Sequence, residues 1–248
     1  MERIIWAMSL CLLTGCGAAN PPAVTDQAVS VVMAPEDQDV DFAVKLNLMK
    51  GHLLVARELL DLKEVDQALP HLGHPIEEIY DDLADQLPVR GISDFKPVLL
   101  TLQDLVKATP TSPAVATTYQ QAMSALTGAE ATLPASQRQS PRFVLQVIDG
   151  LLAAAGGEYR SALVNGKIAE PIEYQDSRGF VLCAQQLYRS VRTQVVKTNA
   201  ATDKTIQQDL TRLARAWPAP MPPTAAVLTA DEVLTAVAGI KQTARDLR

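Results

Sequence analysis

The stretch DVDFAVKLNLMKGHLLVARELLDL, residues 39–62, decides the fold class. Phe42, Leu46, Met49, Leu53, Ala56 and Leu60 follow one another at alternating spacings of four and three, one stripe of a 3.6-residue helix. A second stripe, Leu48, His52, Val55 and Leu59, flanks the first. The apolar face is therefore broad, and the helix belongs at the centre of a core.

The same period recurs along the chain. Further helices are expected at 64–72, 75–87, 95–108, 113–127, 141–155, 158–165, 177–198, 203–216 and 230–247, separated by Pro75, Pro88, Gly91, Pro110, Pro113, Pro134, Pro141, Gly166, Pro171 and the WPAPMPP segment at 217–223. Asp231 and Glu232 at the start of the last helix, and Arg245 and Arg248 near its end, suit the helix dipole. Alternating runs of strand length are missing, and with aromatics at 4% the composition favours helix. The expected fold is an all-α bundle of about eight to ten helices over residues 37–248, with a candidate division into two packed halves near 128–141. The net charge is −6 and no basic run occurs, which argues against nucleic acid as a partner.

The chain start carries an address. Met1, Glu2 and Arg3 precede an apolar run from Ile4 to Leu13, the length of a secretory h-region and too short to span a bilayer. Leu13-Thr14-Gly15-Cys16 follows it and resembles the lipobox of bacterial lipoprotein precursors. That resemblance implies a signal peptide at 1–15, acylation of Cys16 and a lipid anchor. Gly17, where an aspartate commonly signals inner-membrane retention, implies the periplasmic face of the outer membrane. Residues 16–36, with Pro21, Pro22 and Pro35 and no helical period, read as a flexible tether. Cys11 leaves with the signal and Cys16 is acylated in this reading, so Cys183 stands alone in an apolar helical stretch as a buried thiol.

Histidine is confined to one region: His52, His71 and His74 are the only three in 248 residues. His52 sits on the long helix, and the next helix runs back antiparallel, which returns His71 to the level of His52. Gly73 and Pro75 read as a helix stop followed by a new start, with His74 before the first turn and Glu77 and Glu78 within it. Two or three imidazoles and a carboxylate can converge there, a donor set suited to zinc, copper or iron. The alternative is structural: His74 as a cap, His71 closing the hairpin, His52 a satisfied core imidazole, and the two acids complementing a helix start. The His74-x-x-Glu77 pair resembles the H-x-x-E motif of imelysin-like periplasmic helical proteins associated with iron. Residues 52–80 also resemble one tetratricopeptide-type hairpin, with Ala56, Leu59 and Ala68 at its packing positions, although no second copy follows.

A second segment, YRSALVNGKIAEPIEYQDSRGF at 159–180, gathers Tyr159, Glu170, Glu173, Tyr174, Gln175, Asp176 and Arg178 around a break at Gly166. Asp176 reads as a cap for a helix from Ser177. As an alternative, Tyr159, Glu173, Tyr174 and Asp176 join the histidines in one ligand pocket. Together with the hairpin and the AWPAPMPP stretch at 216–223, this segment is similar to a family of exported bacterial helical proteins, which implies one integrated domain and supplies no chemistry.

Phosphate-loop, nucleophile-elbow and zinc-protease motifs are absent from the sequence, so a binding protein is expected before an enzyme. The leading expectation is a membrane-tethered periplasmic lipoprotein that binds a transition metal or a metal-bearing small molecule through His52, His71, His74, Glu77 and Glu78. The alternatives are a lipid carrier or docking lipoprotein of an envelope transport machine, and a metal-dependent hydrolase with Glu77 or Glu78 as base.

Overall fold

The structure, a computed structural model, describes residues 34–245 and residue 247. The signal peptide, Cys16 and nearly all of the tether lie outside these residues. Helix α1 (Pro35–Asp61) opens with Pro35 in its first turn and Glu36 and Asp37 at its positive end. Phe42, Leu46, Met49, Leu53 and Ala56 are fully buried; beyond them Leu59, from the flanking stripe, is buried in place of the half-exposed Leu60. Asn47, Lys50, Gly51 and His52 are buried as well, so α1 is enclosed on nearly every side over its middle turns. Asn47 donates to Glu130 Oε1 over 2.9 Å and Lys50 pairs with the other oxygen of the same carboxylate, which satisfies the buried polar groups on that face.

Lys63 takes a left-handed φ of 67° and turns the chain into α2 (Val65–His74). A π-helical turn (Pro75–Ile79) follows, then α3 (Tyr80–Ala84) and α4 (Gln86–Val89). Helices α5 (Lys96–Ala108), α6 (Pro113–Glu130) and the short α7 (Ala135–Arg138) complete the first part of the chain. Then come α8 (Pro141–Ala162), α9 (Pro171–Thr198), α10 (Ala200–Leu213), a 3-10 turn (Ala214–Ala216) and α11 (Ala230–Arg245). The fold is an all-α helical bundle, and one main apolar cluster runs from Phe42 to Ala244.

Two boundaries around the 159–180 segment differ from the sequence reading. Helix α8 is continuous to Ala162 rather than broken after 155, and the chain reverses in a small hairpin, β1 (Leu163–Val164) against β2 (Lys167–Ile168). Asn165 and Gly166 have φ values of 53° and 74°, the two-residue turn that Asn-Gly favours. Helix α9 begins at Pro171, so Asp176 does not cap a helix from Ser177; it lies inside α9 and faces the core.

The segment 217–229 crosses α8 and α9 as a strap. Tyr159 donates to the Leu228 carbonyl and Tyr174 to that of Ala219, over 2.7 and 2.9 Å. Trp217 packs edge-on to Tyr159 and donates Nε1–H to Ser177 Oγ, while Arg178 reaches the Trp217 carbonyl and grips Glu58 on α1 through two hydrogen bonds of 2.7 Å.

Candidate metal centre

Three helices meet where α1 and α9 cross most closely. The contact depends on glycine: a Cβ on Gly179 would overlap the Gly51 carbonyl, and a Cβ on Gly51 would lie 2.7 Å from Phe180 Cδ1. This close crossing lets His52, next to Gly51, reach Asp176, one turn before Gly179. Helix α2 supplies His71 and His74. Pro75 has no N–H for the His71 carbonyl, and the chain widens there into a π turn in which Tyr80 N–H bonds to the Pro75 carbonyl. The expected helix stop at Gly73-His74-Pro75 is therefore a widened turn in a chain that stays helical.

Asp176 is the hub. His52 Nδ1 and His71 Nδ1 each lie 2.6 Å from its Oδ1, and His74 Nδ1 lies 3.0 Å from its Oδ2. The four side chains each offer a donor atom within 4.8 Å of the others. His71 Nε2 meets Gln175 Oε1 at 2.8 Å, and Gln175 in turn donates to Gln67 over 3.1 Å. Asp176 and His71 are buried, and the His74 ring is 19% exposed. Burial alone would push the Asp176 carboxyl up, but the charge of His52 and the hydrogen bonds to His52, His71 and His74 outweigh it and hold Asp176 well below the ordinary carboxylate range. His74 is raised chiefly by its hydrogen bond to Asp176, against an opposing effect of burial.

A cavity of about 390 Å³ adjoins the hub. Its polar wall is His52, Asp176, Glu78, Glu158 and Glu173, and among the described residues no lysine or arginine lines it. Burial and the neighbouring Glu173 carboxyl push Glu158 up to about 8. The larger open cleft of about 640 Å³ beside α5 and α6 is remote from this chemistry and is lined by groups such as Phe95, Val98 and Ala125.

Each candidate ligand residue singled out in the sequence lies among the described residues. His52, His71, His74 and Asp176 come together, and Glu173 and Glu78 line the adjoining cavity, with Glu78 3.9 Å from His74 Nε2. Glu77 is exposed and its carboxyl lies near Gly73, outside that cavity wall. Tyr159 and Tyr174 are buried and hold the strap. Glu158 has no place in the sequence reading, and Gln175 appears there only among the polar residues of 159–180, without its bond to His71. The only sequence signal for Glu158 is a lone acid after the apolar LLAAAGG run at 151–157, and helical spacing alone does not say which face it takes.

Comparison with known families finds the iron permease-associated 4-helix bundle domain, whose model matches residues 134–248, just under half of the chain. The matched region contains α8, α9, α10 and α11, and so carries Glu158, Glu173 and Asp176, while the three histidines lie before it. Nothing matches among curated proteins or solved structures.

Proposed function

We propose that this protein is a metal-binding component of a transport process, taking up a transition-metal ion at the histidine–carboxylate centre and presenting it to a membrane permease. The convergence of every histidine in the chain on one buried carboxylate carries the reading. Imidazole with carboxylate suits iron, zinc and copper. The match of 134–248 to a domain associated with iron permeases makes iron the first choice of cargo.

Among the described residues no helix is long and apolar enough to cross a membrane. The lipobox at Leu13–Cys16 supports a lipid anchor at Cys16, and Gly17 supports the periplasmic face of the outer membrane, where a tethered binding protein would meet its transport partners. Replacing Cys16 by Ser should release the protein from the membrane fraction; a C16S chain that stays membrane-bound after salt washing refutes the anchor. For the centre itself, iron(II) and zinc titrations of the chain beside a triple His52, His71 and His74 to Ala variant are decisive. Stoichiometric binding should be lost in a variant that keeps its helical circular dichroism.

A second reading, a carrier of hydrophobic small molecules, is favoured by the open cleft of about 640 Å³, a size suited to a small ligand. Saturable binding of a fluorescent fatty acid, lost when Val98 and Ala125 at the cleft are enlarged to Trp, would support it.

A further inference from the structure

We infer that the metal ion sits on the cavity side of the histidine cluster, held by Nε2 of His52 and His74 together with Glu158, Glu173 and Glu78, while Asp176 remains outside the coordination sphere as the shared acceptor that orients the rings. The inference rests on the metal-binding reading above and specifies its geometry.

Distance decides between the two sides. Ligand atoms at about 2.1 Å from a tetrahedral ion are about 3.4 Å apart, and about 3.0 Å apart at a right angle. Two of the Asp176 contacts, those from His52 Nδ1 and His71 Nδ1, measure 2.6 Å. That is the separation of a charge-assisted hydrogen bond, too short for two atoms sharing one ion. The Nδ1 atoms of His52 and His71 therefore face Asp176 as N–H donors; the 3.0 Å from His74 Nδ1 to Oδ2 is an ordinary N–H···O separation, and we assign it the same role. Each ring with a free Nε2 can then offer that lone pair elsewhere. This is the carboxylate–histidine–metal arrangement, in which the acid fixes the tautomer and the opposite nitrogen binds.

The rings differ in what remains available. His71 uses both nitrogens within the protein, Nδ1 on Asp176 and Nε2 on Gln175, and has none to spare. His52 is a buried side chain, 3% exposed, that lines the cavity and whose Nε2 makes no hydrogen bond among the described residues. His74 turns Nε2 toward Glu78, 3.9 Å away, and its ring centre lies 5.3 Å from that of His52. Beyond them Glu158 and Glu173 present neighbouring carboxyls to the same space, and among the described residues no basic side chain lines it to neutralise them. Two imidazole nitrogens and two or three carboxylates form a nitrogen–oxygen set that suits a divalent iron or zinc ion arriving as the hydrated cation. A cavity of about 390 Å³ holds such an ion with its remaining waters.

The test uses the full chain loaded with zinc and labelled with ¹⁵N-histidine. Long-range proton–nitrogen spectra report which ring nitrogen carries the metal. Coordination through Nε2 of His52 and His74, with His71 unchanged, is expected. The E158Q/E173Q double variant should lose at least tenfold in zinc affinity while keeping its helical circular dichroism and a cooperative thermal unfolding transition in the absence of metal. Zinc on Nδ1 of any of the three, or an unaltered affinity in the double variant, overturns this inference and leaves the metal-binding reading standing. Absence of both zinc and iron(II) binding in the unsubstituted chain overturns both.

Discussion

Asp176 accepts from three imidazoles inside the protein, so replacing it with Asn removes a charge that His52, His71 and His74 are arranged around. Breaking a buried charge cluster from one side costs about 3–5 kcal/mol. The D176N chain should show a loss of that size in urea unfolding at pH 7, and a change below about 1 kcal/mol would mean the cluster is not built around the carboxylate. Glu158 supplies a pH signature. Its carboxyl is raised from 4.5 to about 8, so the folded state holds a proton that the unfolded state gives up over that window. Stability therefore falls through this group as pH rises from 4.5 toward 8, and E158Q should gain on the unsubstituted chain across the same range. Urea midpoints for both chains at pH 4.5 and 8 measure the difference, and a gap that does not grow with pH contradicts the assignment. At this scale the sequence exposed the histidines through their confinement to one hairpin. It offers Asp176 only as one of several residues that join a shared pocket, and does not mark it as the acceptor common to all three rings, because the link is 105 residues from His71 and depends on how α9 is rotated.

At the scale of elements, the site is made by the α1–α9 crossing and by the widened turn at Pro75. G179A should force α1 and α9 apart, because the added carbon overlaps the Gly51 backbone rather than a movable side chain. Overpacking of this kind costs about 1–3 kcal/mol. Zinc affinity should fall with it, since His52 and Asp176 are carried on the two separated helices. The same change at the open Gly128, inside α6 with nothing within 4 Å, serves as the control: it should leave zinc affinity unchanged and raise stability by about 0.5–1 kcal/mol. Most helices could be read from apolar period and from proline, as α1, α5 and α6 show. The two boundary differences around 156–177 have separate causes. The expected break after 155 does not form: the helix continues through Gly156 and Gly157, and Gly156 admits Leu234 of α11. That continuation is a matter of tertiary packing, which local propensity does not report. Pro171 separates two helices as expected but is itself in the first turn of α9, a position that suits proline.

For the whole molecule, the region matched to the iron permease-associated domain supplies only part of the centre, and α1 and α2 supply the imidazoles. A bound ion would link α1, α2 or the turn after it, α8 and α9. Metal that binds only the folded state should then stabilise the chain, by about 2.7 kcal/mol at a free concentration one hundred times the dissociation constant. The triple histidine variant should gain nothing, and thermal unfolding with and without zinc separates the two outcomes. The all-α class was legible because one long helix was apolar over so broad a face. The strap at 217–229 was visible only as a proline-rich interruption; its anchoring by Tyr159, Tyr174 and Arg178 required the fold.

The most direct test is metal content and affinity: elemental analysis with iron(II) and zinc titration of the chain, beside the triple His52, His71 and His74 to Ala variant. One ion per chain, lost in a variant that remains helical, is the predicted result. An unsubstituted chain that binds neither ion, or a variant that binds them equally well, would contradict the account.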